Sequence, residues 1–229
     1  MPGTPGSSWV VPVFIGVTAV AIGGSVYYSW ASNKKRNAAF RALATTMGFT
    51  YEEDEYARAA LFTIVGLEHA PLFNRGHSRK AQRMLQGRLA DRGTQIFDYT
   101  YTTGSGKSAH VHRQSVVRFP DGAKGLPDFD LSPESVFHAL VEIFGAQDID
   151  FTENAEFSKR YLLRGQDEAA IRKAFTSNAL AWFSGAPGWR VQTHQGTMVI
   201  FREGKLVEPA EIPAYAAEAL RILGLFPRA

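Results

Sequence analysis

The string Thr103-Gly104-Ser105-Gly106-Lys107-Ser108 ends the way a phosphate-binding loop ends. Such a loop also needs a glycine five residues before Gly106, and Tyr101 stands there. It needs a helix after the lysine as well, so that backbone N–H groups and the helix dipole converge on phosphate. Here the following residues alternate like a strand, so the string reads as a hairpin tip. His110 and His112, two apart on that strand, share a face. With Asp98 from the neighbouring strand they would make three ligands of an open zinc site, the machinery of a membrane-tethered, metal-dependent hydrolase. Gln114 and Arg118 share the face of the histidines, and a solvated polar surface explains the pattern equally well. No metal and no cofactor is assigned.

Two further pairs, Asp128/Asp130 and Asp148/Asp150, each put two carboxylates on one face of an extended segment. Acid–base work would need environments that drive their pKa values apart. The loop grammar of a calcium site is absent, and turn or cap roles are favoured. No nucleophile elbow, zinc-protease helix or dinucleotide fingerprint is present. The strongest basic patch comprises Arg75, Arg79, Lys80 and Arg83, with Arg88 close behind. Its natural counterpart is an anionic lipid headgroup, at about 1 kcal/mol per basic residue near a membrane surface. An exposed loop is the plain alternative. Nucleic acid is disfavoured, because no stacking platform accompanies the charge.

The distribution of charge gives these residues an address. The chain has 229 residues, a formal charge of +3 and no cysteine, and the first charged side chain is Lys34. A mean hydropathy of −0.15 excludes a multi-span membrane protein. From Trp9 to Ala31 there are 23 residues without a charge. As a helix they reach roughly 34 Å, enough to cross a ~30 Å hydrocarbon core. Trp9 at one end and Tyr27, Tyr28 and Trp30 at the other suit the interfacial belts. Lys34, Lys35 and Arg36 follow at once, which orients the N-terminus outside and the main domain in the cytoplasm of a bacterial inner membrane. A cleaved signal peptide or signal anchor ahead of an extracytoplasmic domain is the alternative, though the basic n-region is missing and the apolar stretch is long. Gly16, Ala19 and Gly23 form a small-residue stripe on which a homodimer could pack.

The expected elements follow. After the tail 1–8 and the transmembrane helix 9–31, Phe40, Leu43, Ala44 and Met47 predict a juxtamembrane helix over 32–48, stopped by Gly48. Leu61–Val65 reads as a short strand. Met84–Ala90, Gln95–Tyr101 and Ala109–Phe119 form an antiparallel meander, with Phe97, Tyr99 and Tyr101 on one face and Ile96, Asp98 and Thr100 on the other. Ser132-Pro133-Glu134 reads as a helix start ahead of an apolar stripe from Val136 to Phe144. Beyond it come a strand near Arg160–Leu163, a helix opened by Asp167, a short helix holding Leu180 and Phe183, a hairpin closed by Gln195-Gly196, and a final amphipathic helix from Ile212 to Leu223. The fold class is α+β, with antiparallel hairpins and packed amphipathic helices behind the N-terminal helix. Residues 49–146 form a basic half and 147–229 an acidic-to-neutral half, together one compact unit. Residues 34–118 carry 14 basic and 7 acidic side chains, whereas 119–229 carry 11 and 15.

The string Gly87…Phe97-Asp-Tyr99-Thr-Tyr101…Leu126-Pro-Asp-Phe129-Asp-Leu131-Ser-Pro133-Glu134…Asp148-Ile-Asp-Phe151…Glu156-Phe157…Tyr161…Gly165 resembles a family of bacterial membrane-anchored proteins with a domain of unknown function. The similarity covers most of residues 38–225. The C-terminal half also resembles a second bacterial family, in which a Glu-Phe precedes a strand, a helix and a hairpin. The resemblance implies a membrane-associated bacterial protein and brings no catalytic residue. The sequence therefore points to a binding or adaptor module at a membrane surface, its partners being the lipid bilayer and a protein that the sequence does not name.

Overall fold

The computed structural model describes residues 10–52, 70–134 and 148–227, and for residues 10–26, 28 and 29 the backbone alone. A single helix, α1, runs from Val10 to Met47, about 57 Å at ~1.5 Å per residue. The juxtamembrane helix is thus continuous with the segment before it. Its end is the one the sequence announces. Gly48 adopts φ +67°, its N–H donates to Thr45 O at 3.4 Å, and the Phe49 N–H donates to Ala44 O at 2.8 Å. This pair of bonds satisfies carbonyls the helix leaves open, and the contact of Phe49 with the last apolar turn completes the cap.

The strands are β1 (Thr50–Glu52), β2 (His77–Leu89), β3 (Arg92–Thr103), β4 (His110–Phe119), β5 (Phe129–Pro133), β6 (Tyr161–Gly165), β7 (Arg190–His194) and β8 (Thr197–Phe201). All eight join one antiparallel sheet in the order β1-β2-β3-β4-β8-β7-β5-β6. The helices α2 (Ala155–Arg160), α3 (Glu168–Ala174), α4 (Ser177–Gly185) and α5 (Ile212–Leu223) complete an α+β fold. Asp167 caps α3 by accepting from Ala170 N at 3.0 Å, as its position predicts.

One face of the sheet carries the larger core. Phe40 and Ala44 of α1, the buried stripe of α5 and the aromatics of α2–α4 pack there against Leu85, Ile96, Val117 and Ile200. The other face carries Phe97, Tyr99, Tyr101, Val116 and Phe201, covered among the described residues by the turn at Ala70–Phe73. Alternation along the strands sorts the two sets, as the pleat requires.

Two expectations are corrected. Ser132 and Pro133 end β5 and pair with Leu162 and Tyr161, so they are strand residues rather than the cap and first turn of a helix, and a 3-10 turn begins only at Glu134. The pairing reason is non-local: β6 returns alongside and extends the strand past its cap signal. One sheet takes strands from both halves of the sequence, with β5 lying between β7 and β6. Finally, β2 begins seven residues before Met84, at His77. The strand at Leu61–Val65, the acidic run after Glu52, the stripe from Val136 to Phe144, Trp9 and the tail 1–8 lie outside the described residues, and of the stripe Gly16, Ala19 and Gly23 only the backbone is described. No helix among the described residues is long and apolar enough to cross a membrane. Most of the apolar side chains of segment 9–31 are among those not described, so the segment remains a sequence-based expectation.

Candidate functional site: a basic cleft at the foot of the long helix

Where α1 crosses the sheet, a cleft of about 550 Å³ opens between the helix and strands β2, β3 and β4. Its floor is a buried ion cluster. Asp98, with a side chain only 4% exposed, accepts two hydrogen bonds from Arg36, at 2.7 and 2.9 Å. It accepts a third from Arg83 at 2.7 Å and a fourth from the Ser115 hydroxyl at 2.9 Å. Arg36 also donates to Val207 O at 2.7 Å, and Val207 N donates to Ser115 Oγ at 3.0 Å. One carboxylate thus ties the helix and three strands together, and through Arg36 and Ser115 the connection 202–211 as well. A carboxylate this enclosed survives only because its lone pairs are met by charged donors.

Local backbone puts Arg83 there. The pairing of β2 with β3 breaks between Gln82 and Leu85, and Arg83 sits at φ +56°. The extra residue of this bulge turns Arg83 onto the face of Asp98. A side chain held in the left-handed region is strained, and here the ion cluster holds it.

Above the floor, the register defines a row across three strands. Lys80 pairs with Thr100, and Thr100 pairs with Arg113. Directly paired residues share a face, so all three point into the cleft with Asp98. Lys80 and Arg113 are exposed. The next row is the mouth, with Thr102 opposite Val111. Val111 is 45% exposed and Leu206, beside it in the cleft lining, is 37% exposed. Ser32 and Asn33 of α1 close the other side.

The zinc triad is not assembled. Asp98 pairs with Ser115, whereas His112 pairs with Tyr101 and His110 with Thr103, so the histidines lie on the opposite face of the sheet. His112 stacks on Tyr101 at 4.5 Å and bonds Thr103 Oγ1 at 2.8 Å. Partial burial, then the neighbouring His110, holds its imidazole below the usual range. Nor is that face solvated throughout. Gln114 and Arg118 are buried, and burial pulls Arg118 down to about 10. Among the described residues no group of three His, Cys, Asp or Glu is placed to hold a metal.

The expected basic patch is also dispersed. Arg83 serves Asp98. Arg75 is 6% exposed and pairs with Glu203 at 2.6 Å. Arg79 donates to the carbonyls of Phe73 and Gly76, and Arg88 to that of Asp91. Of the five, Lys80 alone lines the cleft with an uncommitted charge. Arg36 is spent on Asp98 too, while Lys34 and Lys35 are exposed. Lys34 lies 5.1 Å from the Trp30 ring. The carboxylate pairs act structurally. Asp130 receives Arg190 at 2.7 and 3.0 Å, Asp128 pairs with His194, and Asp148 accepts from Leu163 N at 2.9 Å. Burial raises the Asp148 carboxyl despite that bond. The Gly104–Lys107 string is a hairpin tip with a short 3-10 turn at Gly106–Ser108, followed by β4.

Sequence reasoning missed Arg113 and Thr102 as cleft residues. Alternation along β4 was the available signal, since it separates Arg113 from His112 and Gln114.

No family model matches the chain, and no curated protein matches it in sequence. The fold has a counterpart among solved structures. The crystal structure of the mycobacterial trehalose monomycolate transport factor A, TtfA, superposes with a TM-score of 0.55 over 86% of this chain and 97% of that one, at 12% identity. A likeness at that identity shows a shared fold.

Proposed function

We propose that this chain is a single-pass protein of the bacterial inner membrane, with its N-terminus outside, whose α+β domain works in the cytoplasm as a binding module at the membrane surface. The observation that carries the reading is the position of the cleft. Its wall includes Ser32 and Asn33, immediately after the apolar segment 9–31 and before the first charge at Lys34. A helix leaving the bilayer there would set the cleft at the headgroup layer. Lys34 and Lys35, both exposed, add charge of the sign that an anionic leaflet attracts. The structural neighbour is named for the transport of trehalose monomycolate. What this reading shares with it is association with lipid, and no cargo is carried over.

The test is fractionation of cells that express the full chain with a reporter after Ala229. The expected result is a protein that stays in the membrane pellet after a carbonate wash, with its reporter active only on the cytoplasmic side. Release by carbonate, or a reporter active outside, would overturn the reading.

A further inference from the structure

On the reading that the domain sits at a membrane, we infer that the cleft beneath α1 is a binding site for a phosphate group, that of an anionic phospholipid headgroup. The first argument is charge. Four cationic side chains line the cleft against one carboxylate. Arg36 and Arg83 are consumed by Asp98. Among the described residues no carboxylate pairs with Lys80 or Arg113. The buried ion network on the other face makes the contrast. There Arg75 and Arg190 are matched by Glu203 and Asp130, which leaves no charge for a ligand.

The second argument is geometry. Lys80, Thr100 and Arg113 stand in one ladder row. Adjacent strands lie about 4.8 Å apart, so the two cations start roughly 10 Å apart with the Thr100 hydroxyl between them. Their long side chains can close that gap on one tetrahedral anion above Thr100, the arginine through paired N–H groups and the lysine as a point charge. The third argument is the direction of the exit. Towards the mouth the lining changes to Thr102, Val111 and Leu206, the last two exposed and apolar. A phosphate with a hydrocarbon tail finds both of its parts matched, whereas a bare anion matches only the inner row.

The experiment uses the full chain in a neutral detergent, titrated calorimetrically with dihexanoyl phosphatidylglycerol, dihexanoyl phosphatidylcholine and inorganic phosphate. The expected order of affinity is phosphatidylglycerol first, inorganic phosphate weaker, and phosphatidylcholine weakest. Lys80→Ala and Arg113→Ala should each weaken the first by roughly fivefold, with the double variant worse than either. Lys159→Ala, far from the cleft and exposed, should change nothing. Inorganic phosphate binding as tightly as the lipid, with the same sensitivity to both variants, would keep the phosphate site and make free phosphate its ligand. Affinity for phosphatidylglycerol that is absent, or indifferent to the double variant, would overturn the inference. Detergent presents the ligand whether or not the helix spans a bilayer, so this outcome is independent of the fractionation result.

Discussion

Asp98 shows how one side chain can change meaning between a sequence and a fold. Flanked by aromatics and one hairpin turn from a pair of histidines, it looks like a ligand. In the structure it is, among the described residues, the one carboxylate that meets two arginines and a hydroxyl at the cleft floor. Replacing it with alanine leaves two enclosed guanidinium groups without a counter-charge, which costs about 3–5 kcal/mol. Asp98→Ala should therefore lower the urea midpoint far more than Arg36→Ala, which leaves Asp98 with Arg83 and Ser115. Equal losses would show that the cluster is not centred on Asp98. Part of this was legible beforehand. Alternation along β3 already set Asp98 and Thr100 on the face opposite Tyr99 and Tyr101. What could not be read was the register of β4, because a slip of one residue in a hairpin moves every side chain to the other face. Here the short turn at Gly106–Ser108 sets that register.

At the scale of elements, local signals held except at Ser132-Pro133, where strand pairing overrode the cap signal, and the non-local pairings were not legible. The end of α1 at Gly48, the cap at Asp167, the Gln195-Gly196 hairpin and the stripe of α5 all follow from neighbouring residues. The insertion of β5 between β7 and β6 joins segments about 60 residues apart, and no local pattern encodes it. The bulges of β2 are of the same kind, since they spread a run of basic residues over different surroundings. The joint between α1 and the sheet gives a direct check. A Cβ on Gly87 would lie 2.5 Å from the Phe49 ring, and that ring anchors the cap of the helix. Gly87→Ala should cost about 1–3 kcal/mol through overpacking and lower the melting temperature. An unchanged melt would mean that Phe49 is not held against β2.

Across the described residues, charge is also sorted by depth. Among them the buried Arg75, Arg83 and Arg190 are matched by carboxylates, and Arg118 by the neutral oxygens of Gln95 and Thr197. The cleft at the foot of α1 keeps Lys80 and Arg113 without a carboxylate partner among the described residues. The buried network predicts a pH dependence. Burial alone would raise the Glu203 carboxyl, but Arg190 and Arg75 outweigh it and hold the group below its usual 4.5. A depressed carboxyl stabilises the fold fully above its unfolded value, and the contribution is lost as pH falls through the folded value. The melting temperature should thus be insensitive to this group at neutral pH and fall below about pH 4.5. In Glu203→Gln it should start lower at neutral pH and show a shallower acid decline. The central claim is that the cleft meets anionic lipid where α1 enters the domain, and photo-crosslinking in cells tests it most directly. With p-benzoylphenylalanine in place of Val111, at the cleft mouth, mass spectrometry should find adducts with anionic phospholipid. The same probe in place of Glu218, on α5, should find none. Adducts at both positions alike, or none at Val111 while a probe at Trp30 captures lipid, would contradict the account.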